Sequence, residues 1–141
     1  MAYAHLLGDN GNKATRSVVE NYNFRGLIEE LLADNLPSEV LWFGARLRLY
    51  DQFPEIKIKS SDAIKYQAKF VNLIQNQKIT FIKVGHLRAR ESDSCEKCGH
   101  KIWKLAEKGV DVGLAVRMVQ EADKNTEIVV ISADTDLLPA F

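Results

Sequence analysis

Five polar side chains hold the chemistry this chain offers: the carboxylates of Asp9, Asp111, Asp134 and Asp136 and the amide of Asn12. They occur in Gly8-Asp9-Asn10-Gly11-Asn12, Lys108-Gly109-Val110-Asp111 and Ser132-Ala133-Asp134-Thr135-Asp136. The first and third groups follow apolar runs that read as strands, so Asp9 and the Asp134/Asp136 pair stand at strand exits. Asp111 precedes Ala115 by four residues and Met118 by seven, which puts it on the apolar stripe in the first turn of a helix. An ionised carboxylate buried there alone is costly, so it is expected to be paired, protonated or bound to a cation. Hard oxygen ligands with no histidine among them suit Mg²⁺ or Mn²⁺ better than zinc. The reaction that fits is phosphodiester hydrolysis, in which the ion activates water, neutralises charge on the phosphate and stabilises the leaving oxygen. No Ser/His or Cys/His pair offers a nucleophile with comparable support.

Each acid also has a plain structural explanation. Asp9 precedes Asn10-Gly11, a strong turn signal. Asp111 in a first helical turn gains from the helix dipole. Asp136 stands where it can cap a helix beginning near Pro139. Asp134-Thr135-Asp136 after an apolar strand also imitates the acid pair of haloacid-dehalogenase-like phosphatases. That motif opens its fold and needs a lysine and further acids downstream, which the few residues to Phe141 do not supply.

Two other groups bear on ligands. Cys95-Glu96-Lys97-Cys98 is half of a tetrahedral zinc site that His100 or His86 would extend, and a structural zinc would hold the surrounding polar segment together. A thioredoxin-like redox role fits less well, because that motif belongs at a strand-to-helix junction. Basic pairs Arg46/Arg48, Lys57/Lys59 and Arg88/Arg90 lie near Trp42, Tyr50 and Trp103 in sequence. Such groups follow a phosphate backbone while an aromatic stacks on a base, or are simply the solvated side of a strand. His5 reads as a core histidine on the first strand.

The elements that must position these groups alternate as an α/β pattern. Tyr3–Leu7 is expected as the first strand and Phe24, Leu27, Ile28, Leu31 and Leu32 as a helix stopped by Asn35 and Pro37. Val40–Phe43 reads as a second strand, and the stretch to Tyr50 stays open between extended chain and turn. A helix follows Pro54, with Ser60 or Ser61 as its cap and Asp62 in its first turn. Ile79–Val84 is a strand, and about 85–108 is a polar insertion, a knuckle around the cysteines with Ile102 and Trp103 on its far side. Val110 opens a helix with Leu114, Ala115, Met118, Val119 and Ala122 on one face, and Glu127–Ser132 is the strongest strand. Strand, helix, strand in succession implies parallel pairing with right-handed crossovers, and functional groups then gather at the strands' carboxyl ends. A further helix is expected from about Pro139, so the chain reads as a fragment or a truncated variant.

Composition sets the outer bounds. The chain has 141 residues, 46% hydrophobic, enough for one domain with one core. Its 19 basic and 19 acidic residues cancel, so affinity for nucleic acid must come from local patches or bound metal. The apolar runs are too short for a membrane span and the N-terminus lacks signal-peptide character, so a cytoplasmic location is expected. Two cysteines this close exclude a disulfide framework.

Taken in order, Asp9-Asn10-Gly11-Asn12, Lys108-Gly109-Val110-Asp111-Val112 and Ile131-Ser132-Ala133-Asp134-Thr135-Asp136-Leu137-Leu138-Pro139 resemble the motifs of the NYN domain, a PIN-like ribonuclease family related to LabA-type bacterial proteins. The resemblance covers essentially the whole chain. Asn10, Ala133 and Thr135 depart mildly from the family pattern, and the family's C-terminal helix and strand are not matched. It implies a three-layer, Rossmannoid PIN-like domain with a central parallel sheet and a metal-dependent endoribonuclease activity on RNA. Asp9, Asp111, Asp134 and Asp136 would hold metal or water, Asn12 would orient the scissile phosphate, and the Thr135 hydroxyl would support the acids. Arg88 and Arg90 are the candidate RNA contacts. A catalytically silent RNA-binding or protein-interaction module of the same fold is the alternative, and a homodimer or partner protein would use the insertion or the C-terminal edge.

Overall fold

The computed structural model describes residues 16–91, 93–94, 96–99, 101–122, 124, 127–132, 134 and 136–137. Its elements are α1 (Arg16–Glu20), α2 (Phe24–Leu32), β1 (Leu41–Arg46), α3 (Pro54–Asn76), β2 (Thr80–Glu91), β3 (Trp103–Lys108) and α4 (Val110–Ala122). The described strands form one sheet in the order β1-β2-β3. The 23 residues of α3 join β1 to β2, the long crossover that parallel neighbours require, and the Val40 carbonyl accepts from the Thr80 N–H where both strands begin. β2 and β3 are antiparallel. The α/β class is therefore observed, with a mixed sheet in place of a wholly parallel one. The expected first strand Tyr3–Leu7 and the helix start at Pro139 lie outside the described residues. No helix among the described residues is long and apolar enough to cross a membrane.

The residues fall into two compact units. The first comprises the described chain to Trp42 together with Ala68–Phe81. Asn23 caps α2, its side-chain oxygen accepting from the Gly26 N–H at 2.9 Å. Val19, Phe24, Phe70, Ile74 and Ile79 are buried together, each fully buried large side chain contributing about 1.5–3 kcal/mol. Phe24, Trp42 and Phe70 meet edge to face with centroids 5.0 to 5.7 Å apart. Trp42 thus spends its ring on the core and does not wait for a base. Gln77 ties this core to the α1–α2 turn, accepting from the Arg25 N–H at 3.1 Å and donating to the Tyr22 carbonyl at 2.9 Å.

The second unit comprises Phe43–Gln67 and the described chain from Ile82 onward. Here α3 begins at Pro54, whose fixed φ suits a first helical position, with Glu55 in the first turn pairing with Lys59. Ser60 and Ser61 are inside the helix, contrary to the expected cap. Ser60 tolerates this site, with no exposed surface, because its hydroxyl donates to the Lys57 carbonyl and accepts from the Tyr50 N–H at 3.0 Å. Residues 47–50 are irregular, and the buried Tyr50 donates its hydroxyl to the Leu87 carbonyl at 2.6 Å while Arg48 covers its ring. Tyr50 is therefore also committed internally.

Strand β2 runs to Glu91, well past the expected end at Val84, so the polar segment forms largely a β-hairpin. Gly85 sits at φ +59° and allows the strand to continue: a Cβ there would collide with the backbone of Lys108, Gly109 and Val110. In α4, a Cβ on Gly113 would lie 2.7 Å from that of Val84, so the helix approaches the strand through its glycine. That contact centres the buried side of α4 on Val110, Gly113, Leu114 and Met118 and leaves Val119 and Ala122 exposed, a rotation from the expected face. Glu127–Ser132 makes no strand ladder among the described residues, although Ile128 and Val130 are half-buried and Val129 and Ile131 exposed, the alternation of extended chain.

Candidate functional site

Of the proposed acidic cluster, Asp111, Asp134 and Asp136 are described, and Asp9, Asn12 and Thr135 lie outside the described residues. Asp111 occupies the first turn of α4 directly after Gly109, at φ +82°. It is exposed, so the expectation of a buried carboxylate in need of a cation fails. The rotation of α4 about the Gly113–Val84 contact turns Asp111 outward, and its favourable interaction with the helix dipole explains an acid there. Asp134 is exposed too, and its Oδ1 accepts from the Asp136 N–H at 2.9 Å while its own N–H donates to Ser132 Oγ at 3.1 Å. That is an Asx turn followed by a single turn at Asp136 and Leu137, with Leu137 buried. The capping role expected for Asp136 thus falls to Asp134. Among the described residues, no three His, Cys, Asp or Glu side chains come together as a metal seat.

Cys98 is exposed with a free thiol, and Cys95 and His100 lie outside the described residues. The hairpin that carries them has a definite register: His86 faces Lys108, Arg88 faces Ala106 and Arg90 faces Lys104. Directly opposed residues share a face of the sheet. One face therefore carries His86, Arg88, Arg90, Lys104 and Lys108 around the small Ala106, and every one of the five ionisable groups is exposed. The opposite face carries Leu87, Ala89, Trp103 and Leu105, all half-buried, with Glu91 and Glu107. Trp103 stacks on Phe53 at 4.7 Å and 26°, and Lys59 donates to the Trp103 carbonyl. Trp103 is half-buried and thereby has its ring engaged with Phe53.

Arg88 and Arg90 were legible as a basic pair, but Lys104 and Lys108 were not linked to them. The missed signal was the period-two pattern itself: cation, apolar, cation on both sides of the polar tip. An open depression of about 410 Å³ lies against this region, lined by Arg88, Arg90, Trp103, Ala106 and Lys108 among others. Beyond Lys108 the chain passes directly through Gly109 into α4, and the tight approach at Gly85 fixes that junction against β2. The basic face therefore ends at the helix turn bearing Asp111.

No family model, no curated protein and no solved structure matches the chain.

Proposed function

We propose that this chain is a metal-dependent endoribonuclease that holds RNA along the basic face of the β2–β3 hairpin and cuts it at an acidic site containing Asp111. One observation carries the reading: a cationic face on Arg88, Arg90, Lys104 and Lys108 runs to the α4 turn that bears Asp111. Polyanion attraction and a metal-ligating carboxylate are thus offered by one stretch of structure. The order of the three acidic motifs in the sequence supports the same reading.

Mg²⁺ or Mn²⁺ would be held by Asp9 with Asp111, Asp134 and Asp136, and would supply an activated water and charge neutralisation at the phosphate. Asp111, Asp134 and Asp136 are exposed and offer accessible hard oxygens, and among the described residues no three acids make a seat. Asn12 would orient the phosphate, and the Thr135 hydroxyl would steady the acids. A structural zinc on Cys95, Cys98 and His100 would brace the hairpin tip, and metal content measured with and without Cys98→Ser tests that point.

The test is Mn²⁺- or Mg²⁺-dependent cleavage of single-stranded RNA. Asp9→Asn and Asp134→Asn should each abolish cleavage while the circular dichroism spectrum and melting curve are retained. The second reading, an RNA-binding module without catalysis, is favoured by the Asp134 carboxylate closing a turn. Folded protein that binds RNA and never cuts it in either metal would establish that reading instead.

A further inference from the structure

We propose that the basic face of the hairpin grips the sugar–phosphate backbone alone, and so binds RNA and DNA strands of any sequence alike. The inference rests on the reading of the chain as a nucleic-acid-binding protein and states what kind of contact that binding is.

Three features of the face lead there. Its charge pattern is not that of an ordinary solvated strand. Arg90 lies directly opposite Lys104, and like charges placed opposite one another destabilise a sheet. Among the described residues, none of these side chains makes an ion pair, whereas Glu91 pairs with Lys101 at 3.2 Å and Glu121 with Arg117 at 2.8 Å elsewhere. A polyanion lying on the face relieves the repulsion that the fold leaves in place.

The spacing also suits a strand of phosphates. Arg88 and Arg90 are two residues apart on β2, roughly 6.8 Å, and the cross-strand pairs flanking Arg88 are roughly 13 Å apart. That is a rail of three positions with two intervals, each interval comparable to the separation of successive phosphates along a nucleic acid strand. Ala106 opposite Arg88 leaves the middle position open, where larger side chains would fill it.

Finally, the face offers little for recognition of a base or sugar. Base stacking needs an aromatic with a free face, and Trp103, half-buried at the depression, already stacks on Phe53. Telling RNA from DNA uses the ribose 2′-hydroxyl as donor and acceptor. Arginine and lysine only donate, and they donate more strongly to charged phosphate oxygens than to a hydroxyl. The His86 ring is the one side chain of the face that can accept. Any preference for RNA must therefore arise at the acidic site and not on the hairpin.

The experiment measures binding of the full chain, in EDTA to stop cleavage, to a mixed-sequence RNA, to the DNA of the same sequence and to phosphatidylserine vesicles. Comparable affinity for both oligonucleotides, and weaker capture by vesicles, is the expected result. Lys104→Glu should weaken both oligonucleotides by roughly tenfold at low salt through lost counterion release. The same change should raise thermal stability, because it places opposite charges across from one another at Arg90. A residue with only a structural role would not move those two readouts in opposite directions. RNA bound more than tenfold tighter than DNA, unchanged binding by Lys104→Glu, or preferred capture by vesicles each overturns the proposal. Wild-type chain that binds both strands in EDTA and cleaves neither in Mg²⁺ or Mn²⁺ would remove the nuclease reading and leave the backbone grip standing.

Discussion

The Asp134 carboxylate closes its own turn, so its removal is felt in stability as well as in chemistry. Asp134→Ala loses the bond to the Asp136 N–H and should destabilise by about 0.5–1.5 kcal/mol in urea unfolding. Asp134→Asn keeps an acceptor oxygen in the same place and should unfold like wild type while losing any metal-dependent cleavage. A stability loss equal in both variants would mean that charge, and not the turn bond, matters at this residue. Ser60 makes a sharper case because it is wholly buried. Ser60→Ala orphans the Tyr50 N–H in the interior and should cost about 1–3 kcal/mol, read from the same unfolding curves. The loss matters for the hairpin as well, since Tyr50 in turn holds the Leu87 carbonyl on β2. Glu121 adds an electrostatic contribution at a half-buried carboxylate. Its carboxyl is held below the usual carboxylate range by the hydrogen bond from Lys124, with Arg117 adding to the same direction. Whatever stability this supplies is present above the ordinary carboxylate pKa and is lost as pH falls through the depressed one.

At the scale of elements, the hairpin stands or falls on Gly85. Gly85→Ala must hold an L side chain at φ +59°, costing about 1–3 kcal/mol from the backbone alone, and its Cβ also strikes the Lys108–Val110 backbone. Gly99→Ala is the matched control, at φ +68° with open space around it, and should pay only the backbone cost. A larger loss of stability and of RNA binding for Gly85→Ala than for Gly99→Ala is expected; equal losses would show that the close approach does not set the hairpin. The sequence announced the helix through Phe24, Leu27 and Ile28 and the strand near Val40, because helical periodicity and an apolar run are local signals. It also announced the basic pair Arg88/Arg90. It did not announce that β2 continues past Gly85, because a lone glycine after an apolar run reads as a stop, and only the approach of Lys108 explains why it is a kink. The side on which Asp111 falls was equally hidden. Periodicity placed it with Ala115 and Met118, whereas the contact at Gly113 centres burial on Val110, Gly113, Leu114 and Met118 and leaves Asp111 exposed. Ser60 misled for a third reason: a hydroxyl that serves backbone groups inside a helix has the same composition as one that caps it.

For the molecule as a whole, charge balance turns a local surface into a measurable quantity. The chain carries 19 basic and 19 acidic residues, so no net positive field draws a polyanion from a distance. Binding must instead be paid for by the few counterions released where phosphates meet cations. The exposed hairpin face offers four permanently charged candidates, Arg88, Arg90, Lys104 and Lys108. For a single strand, four phosphate contacts correspond to a slope of about −3 in the logarithm of the association constant against the logarithm of salt concentration. Fluorescence anisotropy of a labelled strand over a salt series, in EDTA, reads that slope directly. Each single replacement of a cation on the face by alanine should flatten it by about 0.7. Replacing Arg48, which lies over the Tyr50 ring, should leave the slope unchanged, although it removes the same formal charge. A slope much steeper than that of four contacts would place further cations on the strand. A slope near zero would mean that the hairpin does not carry the polyanion, because neutral contacts hold their affinity as salt rises whereas phosphate contacts do not.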